Sequence, residues 1–301
     1  MRKNLVKRQF IKPFVKWAGG KSSIIDLILH ESPAVTGEYP YEQYIEPFLG
    51  AGAMLLYLQP ERAIVADSNE RLLNTWNQVR LNVEKIIEYL EVYEDRLHNE
   101  GGFLFTDVKN TFNDNLDKEH CKVIEAAQFI FLNKTCFNGL WRVNQSDLFN
   151  VPFNNRKTFL DQNAIDNLKK VSEYLKSADI EFLTDYNLAF GEKDDGSEDK
   201  LLKFAYIDPP YAPVTRTANF VSYSKDGFSQ RDQIMLLLNL NFWAKPRHKS
   251  HKFLMSNSAG GGVGDQCRYL GYKVREIEAP RRINSVSTKR GNVKEIVVTN
   301  F

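Results

Sequence analysis

Cysteine is scarce in this 301-residue chain: Cys121, Cys136 and Cys267 are its three, an odd number without C-x-x-C or Cys/His spacing. That pattern excludes a disulfide framework and a zinc site, and the thiols are expected to be reduced and packed. Long apolar runs are missing too. No segment reaches the roughly 18 apolar residues of a membrane span. The basic amino terminus, MRKNLVKRQFIKPFVKW, lacks the apolar stretch of a signal peptide. A cytoplasmic protein without membrane contact is expected. Nor does one sign of charge dominate, since 40 Lys and Arg face 38 Asp and Glu for a net charge of +2. Total charge therefore does not announce a nucleic-acid partner.

What is present describes an ordinary globular protein, 43% hydrophobic and 26% charged, long enough for about two structural units. The charge is unevenly spread. Arg2, Lys3, Lys7, Arg8, Lys12, Lys16 and Lys21 fall within the first 21 residues, which hold no acid. Further basic runs lie at 245–252 and 280–294, the latter PRRINSVSTKRGNVK, whereas GEKDDGSEDK at 191–200 is mostly acidic. Basic loops of small polar residues suit phosphate contacts, although solvated loops are often basic without any partner. The acidic stretch reads as a solvated hairpin or mobile loop.

Short apolar runs predict strands at 43–46, 63–66, 180–183, 204–207, 252–255, 272–277 and 295–299. Helical spacing predicts helices at 53–58, 69–96, 119–133, 164–175 and 230–242. Strands alternate with helices at both ends of the chain, which implies an α/β sheet. Residues 70–165 lack convincing strands and read as an inserted, mainly helical domain.

YIEPFLGAGAMLLYL reads as strand, Gly-x-Gly turn and helix, with Gly50 and Gly52 letting the backbone approach a ligand over the strand end. The third glycine of a dinucleotide fingerprint is replaced by Leu55, which disfavours a pyrophosphate-binding dehydrogenase. Asp67, closing the run AIVAD, suits the two hydroxyls of a ribose, or else serves packing and solubility. AGGKSS at 18–23 is no phosphate loop, because the glycine needed five positions before Gly20 is Val15. Lys21 there can neutralise a carboxylate and Trp17 can cover an apolar or sulfonium group, or the turn is a structural cap.

KFAYIDPPYAP is the most informative stretch. An apolar strand ends in Asp208, and Pro209 and Pro210 remove two backbone donors and fix two φ angles. The corner offers acceptors only. If the Asp208 carboxylate and the Pro209 carbonyl each accept one hydrogen of an exocyclic purine amine, its lone pair is aimed at an electrophile. Tyr211 can then stack on the ring.

With FVKWAGGK, EPFLGAGA, FLNKTCFNGLWRVN, FNVPF and DPPYAPVTRTANFVSYSKDGF in this order, the chain resembles the DNA adenine-N6 methyltransferases of the Dam family (D12 class, alpha-group order) along nearly its whole length. The resemblance implies a Rossmann-like catalytic domain (1–69 and 166–301), an inserted target-recognition domain (70–165), and S-adenosylmethionine as methyl donor without a metal. By motif, Trp17 and Lys21 would line the cofactor pocket, Phe48, Gly50 and Gly52 its floor, Asp67 the ribose, and Phe182 and Tyr186 the adenine. Asp208 would touch both cofactor and target amine, alongside Pro209, Pro210 and Tyr211. Lys16, Phe137, Asn138, Leu140, Arg142 and Pro152 would meet duplex DNA. Phe137 stands where relatives often carry Tyr, so it keeps the stacking surface of that ring but has no hydroxyl to offer the DNA.

A base within a duplex cannot reach a cofactor, so the target must be flipped out, with an aromatic filling the gap. Arg142 offers the bidentate donors suited to guanine, or forms a surface ion pair. The implied activity is direct methyl transfer to adenine N6, within GATC by resemblance to relatives, by a monomer. An N4-cytosine or other amino-methyltransferase, and a catalytically silent DNA-binding regulator, stay open as alternatives.

Overall fold

The computed structural model describes residues 11–301 except 23, 30–31, 33–40, 116–120, 192–200, 211–227, 245–250, 261 and 281–291. Tyr211, the acidic 191–200 stretch beyond Gly191, and most of the three basic runs lie outside the described residues.

In chain order the elements are α1 (Ile25–Leu29), β1 (Gln43–Glu46), α2 (Ala53–Leu58), β2 (Arg62–Ala66), α3 (Glu70–Glu100), α4 (Gly102–Asp114), α5 (Lys122–Thr135), α6 (Gln162–Ser177), β3 (Asp179–Leu183), β4 (Lys203–Ile207), α7 (Gln230–Trp243), β5 (Lys252–Ser258), α8 (Val263–Tyr269), β6 (Lys273–Pro280) and β7 (Asn292–Thr299). All seven expected strands are present. They form one sheet in the order β3-β2-β1-β4-β5-β7-β6, in which β1 to β5 run parallel and β7 is antiparallel to both neighbours. This is the α/β sheet that the alternation of elements predicts, in the Rossmann-like arrangement that the family resemblance implies.

Strand periodicity divides the core in two. Tyr44, Val65, Ile180, Phe204, Tyr206 and Leu254 face a layer built from α2, α3, α5 and α6. Their neighbours Ile45, Ala66, Ala205, Ile207, Phe253 and Met255 face α7 and α8. Parallel strands buried on both sides read as continuous apolar runs, which is why the sequence shows them plainly.

The segment from 70 to 165 is mainly helical, and its hydrophobic residues share one continuous core with the first face of the sheet. Asn69 caps α3 by accepting from the Leu72 amide at 2.9 Å. Three helices have no counterpart among the sequence expectations. The short α1 and α8 span 5 and 7 residues, and α4 begins at Gly102, within the Gly101–Gly102 pair that reads as a break. The thiols differ in environment. Cys136 and Cys267 are buried, and burial pushes them up to about 12 and about 11, whereas Cys121 is exposed and so is not the packed thiol expected. Among the described residues no helix is long and apolar enough to cross a membrane, and no group of three or more His, Cys, Asp or Glu is arranged to hold a metal ion.

Candidate active site

Strand order reverses between β1 and β4, and in such sheets a ligand binds beyond the carboxyl ends of the strands at this point. The register Ile45↔Ala205 brings the two informative motifs side by side: the glycine turn leaves β1 where Asp208 leaves β4.

The turn is built from both sides by tryptophans. Gly50 (φ 49°) lies so close under Trp17 that a Cβ would fall 2.8 Å from Trp17 Cδ1. Gly52 (φ 61°) rests on Trp76 of α3, where a Cβ would meet Cζ2 and Cη2 at 2.6 Å. Trp76 Nε1 also donates to the Gly50 carbonyl at 3.2 Å. Asp67 closes the turn: its Oδ2 accepts from the Gly50 amide and its Oδ1 from the Asn69 amide, each at 2.9 Å. Burial raises the Asp67 carboxyl above its ordinary range, and the two amides oppose that rise. Each oxygen retains a second lone pair, so the residue can hold the turn and still accept from a ligand.

At the end of β4, Asp208 Oδ1 receives Lys21 Nζ at 2.9 Å and the Ser256 hydroxyl at 2.9 Å. Lys21 is buried, donates also to the Gly19 carbonyl at 3.0 Å, and stands 3.9 Å from Glu295 Oε2. Behind them sits Glu46, the buried last residue of β1. It accepts from the Tyr44 hydroxyl at 2.9 Å and the Leu55 amide at 3.1 Å. Burial, with Asp208 nearby, pushes this carboxyl up to about 8 despite those two donors. Burial thus favours the neutral form of Glu46, and the Lys21 side chain lies between the carboxyl groups of Asp208 and Glu295.

The aromatic residues expected near the cofactor lie on two faces. Phe48 stacks with Tyr186, centroids 5.0 Å apart, and meets Phe228 edge-on at 5.7 Å, on the α7 side. Phe182 packs with the opposite layer, as does Trp17.

A second group of residues gathers around the loop after α5. Phe137 is 47% exposed, and its amide donates to the Pro152 carbonyl at 2.8 Å. Asn138 (φ 57°) and Gly139 (φ 64°) turn the chain sharply, exposing the Asn138 side chain and leaving Leu140 half-buried. Lys16 crosses this turn: a Cβ on Gly139 would lie 2.3 Å from Lys16 Cδ. Asn133, fully buried at the end of α5, accepts from the Lys16 amide at 2.7 Å and donates to its carbonyl at 2.8 Å. Arg142 Nε donates to Asn150 Oδ1 at 2.8 Å across a short hairpin, whose tip is tied by Asn144 Oδ1 accepting from the amides of Ser146 and Leu148. Trp141 beneath it stacks on Phe129 at 3.9 Å and, at 6.2 Å, on Trp17. Lys134 sits nearby. Burial, with Lys16 and Arg156 adjacent, lowers it to about 8.

The structure thus gathers Trp17, Lys21, Gly50, Gly52, Asp67 and Asp208 at the sheet's switch point, with Pro209 and Pro210 following directly, and groups Lys16, Phe137, Asn138, Leu140, Arg142 and Pro152 around one loop. The adjacent residues Lys16 and Trp17 join the two groups. Sequence reasoning did not single out Glu46, Trp76, Asn133, Tyr206, Ser256 or Glu295. An acid ending the apolar strand QYIE was a usable signal for Glu46; the others depend on contacts distant in the chain.

Comparison with known proteins agrees with this geometry. Residues 17–290 match the family model described as D12 class N6 adenine-specific DNA methyltransferase. The chain is 36% identical to a type II methyltransferase of Methanocaldococcus jannaschii, covering 97% of this chain and 99% of the relative. A type II methyltransferase of Lactococcus lactis subsp. cremoris is 31% identical, with 99% of each chain covered. A DNA adenine methylase of Haemophilus influenzae is 31% identical over 95% of this chain and 92% of the relative. The matched span takes in every residue of the switch-point group and all of the loop group except Lys16. With both motif groups inside the match and in place around the sheet's switch point, the chain belongs to the D12 class N6 adenine-specific DNA methyltransferase family.

Proposed function

We propose that this protein transfers a methyl group from S-adenosylmethionine to N6 of a flipped adenine in duplex DNA, directly and within GATC. The observation that carries this reading is Asp208, anchored through Oδ1 at the switch point and followed by a two-proline corner, beside a glycine turn packed against Trp17 and Trp76 and closed by Asp67.

The residues fit that cofactor. Asp67 retains acceptor capacity for ribose hydroxyls, and the carboxylates of Asp208 and Glu295 suit a cationic ligand. Phe48 and Tyr186 offer one aromatic wall for an adenine and Phe182 another. When bound, the cofactor supplies a methyl group on a positively charged sulfur. Asp208 and the Pro209 carbonyl hold the amine hydrogens, so the nitrogen lone pair is free to form the new N–C bond while the S–C pair stays on sulfur. The surplus amine proton leaves toward the Asp208 carboxylate. Pro210 stiffens the corner and Tyr211 stacks on the base.

In this reading residues 70–165 form the target-recognition region. Exposed Phe137 fills the space left by the flipped base, Lys16, Asn138, Leu140 and Pro152 line the approach, and Arg142 reads guanine. The two type II relatives make a restriction-modification setting the natural one to examine. The test is a plasmid expressing the chain, digested with endonucleases that N6-methylation of GATC blocks, with nucleoside mass spectrometry to separate N6-methyladenine from N4-methylcytosine. Protection and N6-methyladenine are expected with the wild type, and neither with Asp208→Ala. Unprotected, unmethylated plasmid from folded wild-type protein would overturn the proposal.

A further inference from the structure

Asp208 is gripped by a chain of hydroxyls. Ser256 on β5 and Tyr206 on β4 are both buried. Ser256 Oγ lies 2.9 Å from Asp208 Oδ1 and 3.0 Å from the Tyr206 hydroxyl. A serine hydroxyl has one hydrogen, and an ionised carboxylate only accepts. The Ser256 hydrogen therefore goes to Asp208, and Tyr206 donates to Ser256. The direction of the chain is set: Tyr206 to Ser256 to Asp208.

Strand pairing produces this arrangement. β4 and β5 run parallel with Tyr206 opposite Leu254 and Ile207 opposite Met255, so Ser256 comes level with Asp208 one step further along. Lys21 Nζ reaches the same oxygen, Oδ1, at 2.9 Å from the other motif. Two donors from separate parts of the chain converge on one carboxylate oxygen. Rotating the carboxylate part of the way out of this position would strain both hydrogen bonds at once.

We infer that Ser256, itself held by Tyr206, is a positioning residue that locks the Asp208 carboxylate with Oδ1 engaged and Oδ2 turned to the target amine. The inference rests on the proposed reaction for the identity of that amine. An acceptor fixed before reaction needs no reorganisation at the moment of transfer, whereas a rotating one presents its acceptor in the right direction only part of the time.

The test uses the full chain with S-adenosylmethionine and a GATC duplex, comparing Ser256→Ala, Ser256→Thr and Tyr206→Phe. Ser256→Ala is expected to lower kcat roughly tenfold or more while leaving KM for DNA within about twofold. Ser256→Thr, which keeps the hydroxyl, restores most of the rate, and Tyr206→Phe falls between. Unchanged kcat in Ser256→Ala, or a Thr variant as slow as the Ala variant, overturns the inference. Should Ser256→Ala fail to fold, Tyr206→Phe applies the same criterion of a lower kcat at constant KM. A second readout needs no turnover: the carboxyl carbon-13 resonance of Asp208, assigned by its loss in Asp208→Asn, is expected to move in Ser256→Ala and return in Ser256→Thr. If wild-type enzyme left adenine unmethylated, the proposed function would fail, while an unmoved resonance sinks the positioning role whichever base is modified.

Discussion

Lys21 Nζ and Asp208 Oδ1 form a 2.9 Å ion pair whose side chains are only 6% and 17% exposed, joining a glycine turn near the amino terminus to the strand end that precedes Pro209 and Pro210. Removing one member of a buried pair leaves the other charge uncompensated, at a cost of about 3–5 kcal/mol. Lys21→Met should therefore lower the urea unfolding midpoint sharply, because the ammonium between Asp208 and Glu295 is lost. Lys21→Met combined with Asp208→Asn should recover part of that stability but none of the plasmid protection. Additive losses in the double variant would show that the pair contributes nothing to stability.

Glu46 makes stability depend on pH in a defined direction. Its carboxyl is raised from 4.5 to about 8, so between these values the folded protein keeps a proton that the unfolded chain has released. Stability from this group is complete below 4.5 and is lost as pH rises through about 8. Glu46→Gln is permanently neutral and keeps acceptors for the Tyr44 hydroxyl and the Leu55 amide. Thermal melts should show the variant matching wild type near pH 5 and melting a few degrees higher near pH 8.5. Parallel melting curves across that range would refute the assignment.

How much of this was legible in the sequence depended on how far each signal reached along the chain. The parallel strands and the Gly50–Gly52 turn are local patterns, and Asp208 with its two prolines is a local constraint on backbone geometry. Ser256 has no local signature within FLMSNS, because its partner Asp208 is 48 positions away. Asn133 and Lys16 are 117 positions apart, and nothing near either announces the pair of hydrogen bonds between them. Lys21 illustrates an intermediate case: the residue stood out, but the carboxylate it meets in the structure is Asp208 of the protein itself.

Gly52 cannot become alanine without cost, for two independent reasons. Its φ of 61° is left-handed, and the new Cβ would lie 2.6 Å from Trp76, a fully buried ring that Nε1 ties to the Gly50 carbonyl. Left-handed strain and overpacking together amount to about 2–5 kcal/mol. Gly19 shares the positive φ, at 80°, but a Cβ there meets nothing within 4 Å. Chemical denaturation should find Gly52→Ala clearly less stable than Gly19→Ala, and only Gly52→Ala should weaken S-adenosylmethionine binding by calorimetry. Equal losses in the two variants would mean that Trp76 yields and the turn is not held against it.

Arg142 separates reading a base from holding a phosphate. Asn150 Oδ1 takes its Nε at 2.8 Å, which orients the guanidinium and leaves both terminal nitrogens clear of hydrogen bonds to the described residues. A guanidinium so held presents two parallel donors, the geometry that matches the O6 and N7 edge of guanine. Arg142→Ala should then lose about 1–3 kcal/mol of discrimination at one base pair, measured as kcat/KM ratios for duplexes altered singly within GATC. Asn150→Ala, which frees the guanidinium without removing it, should lose less at the same base pair. A phosphate contact would behave otherwise, weakening cognate and altered duplexes alike and leaving their ratio unchanged. A uniform loss would therefore reassign Arg142 to the backbone and leave guanine to be read by another residue of the loop.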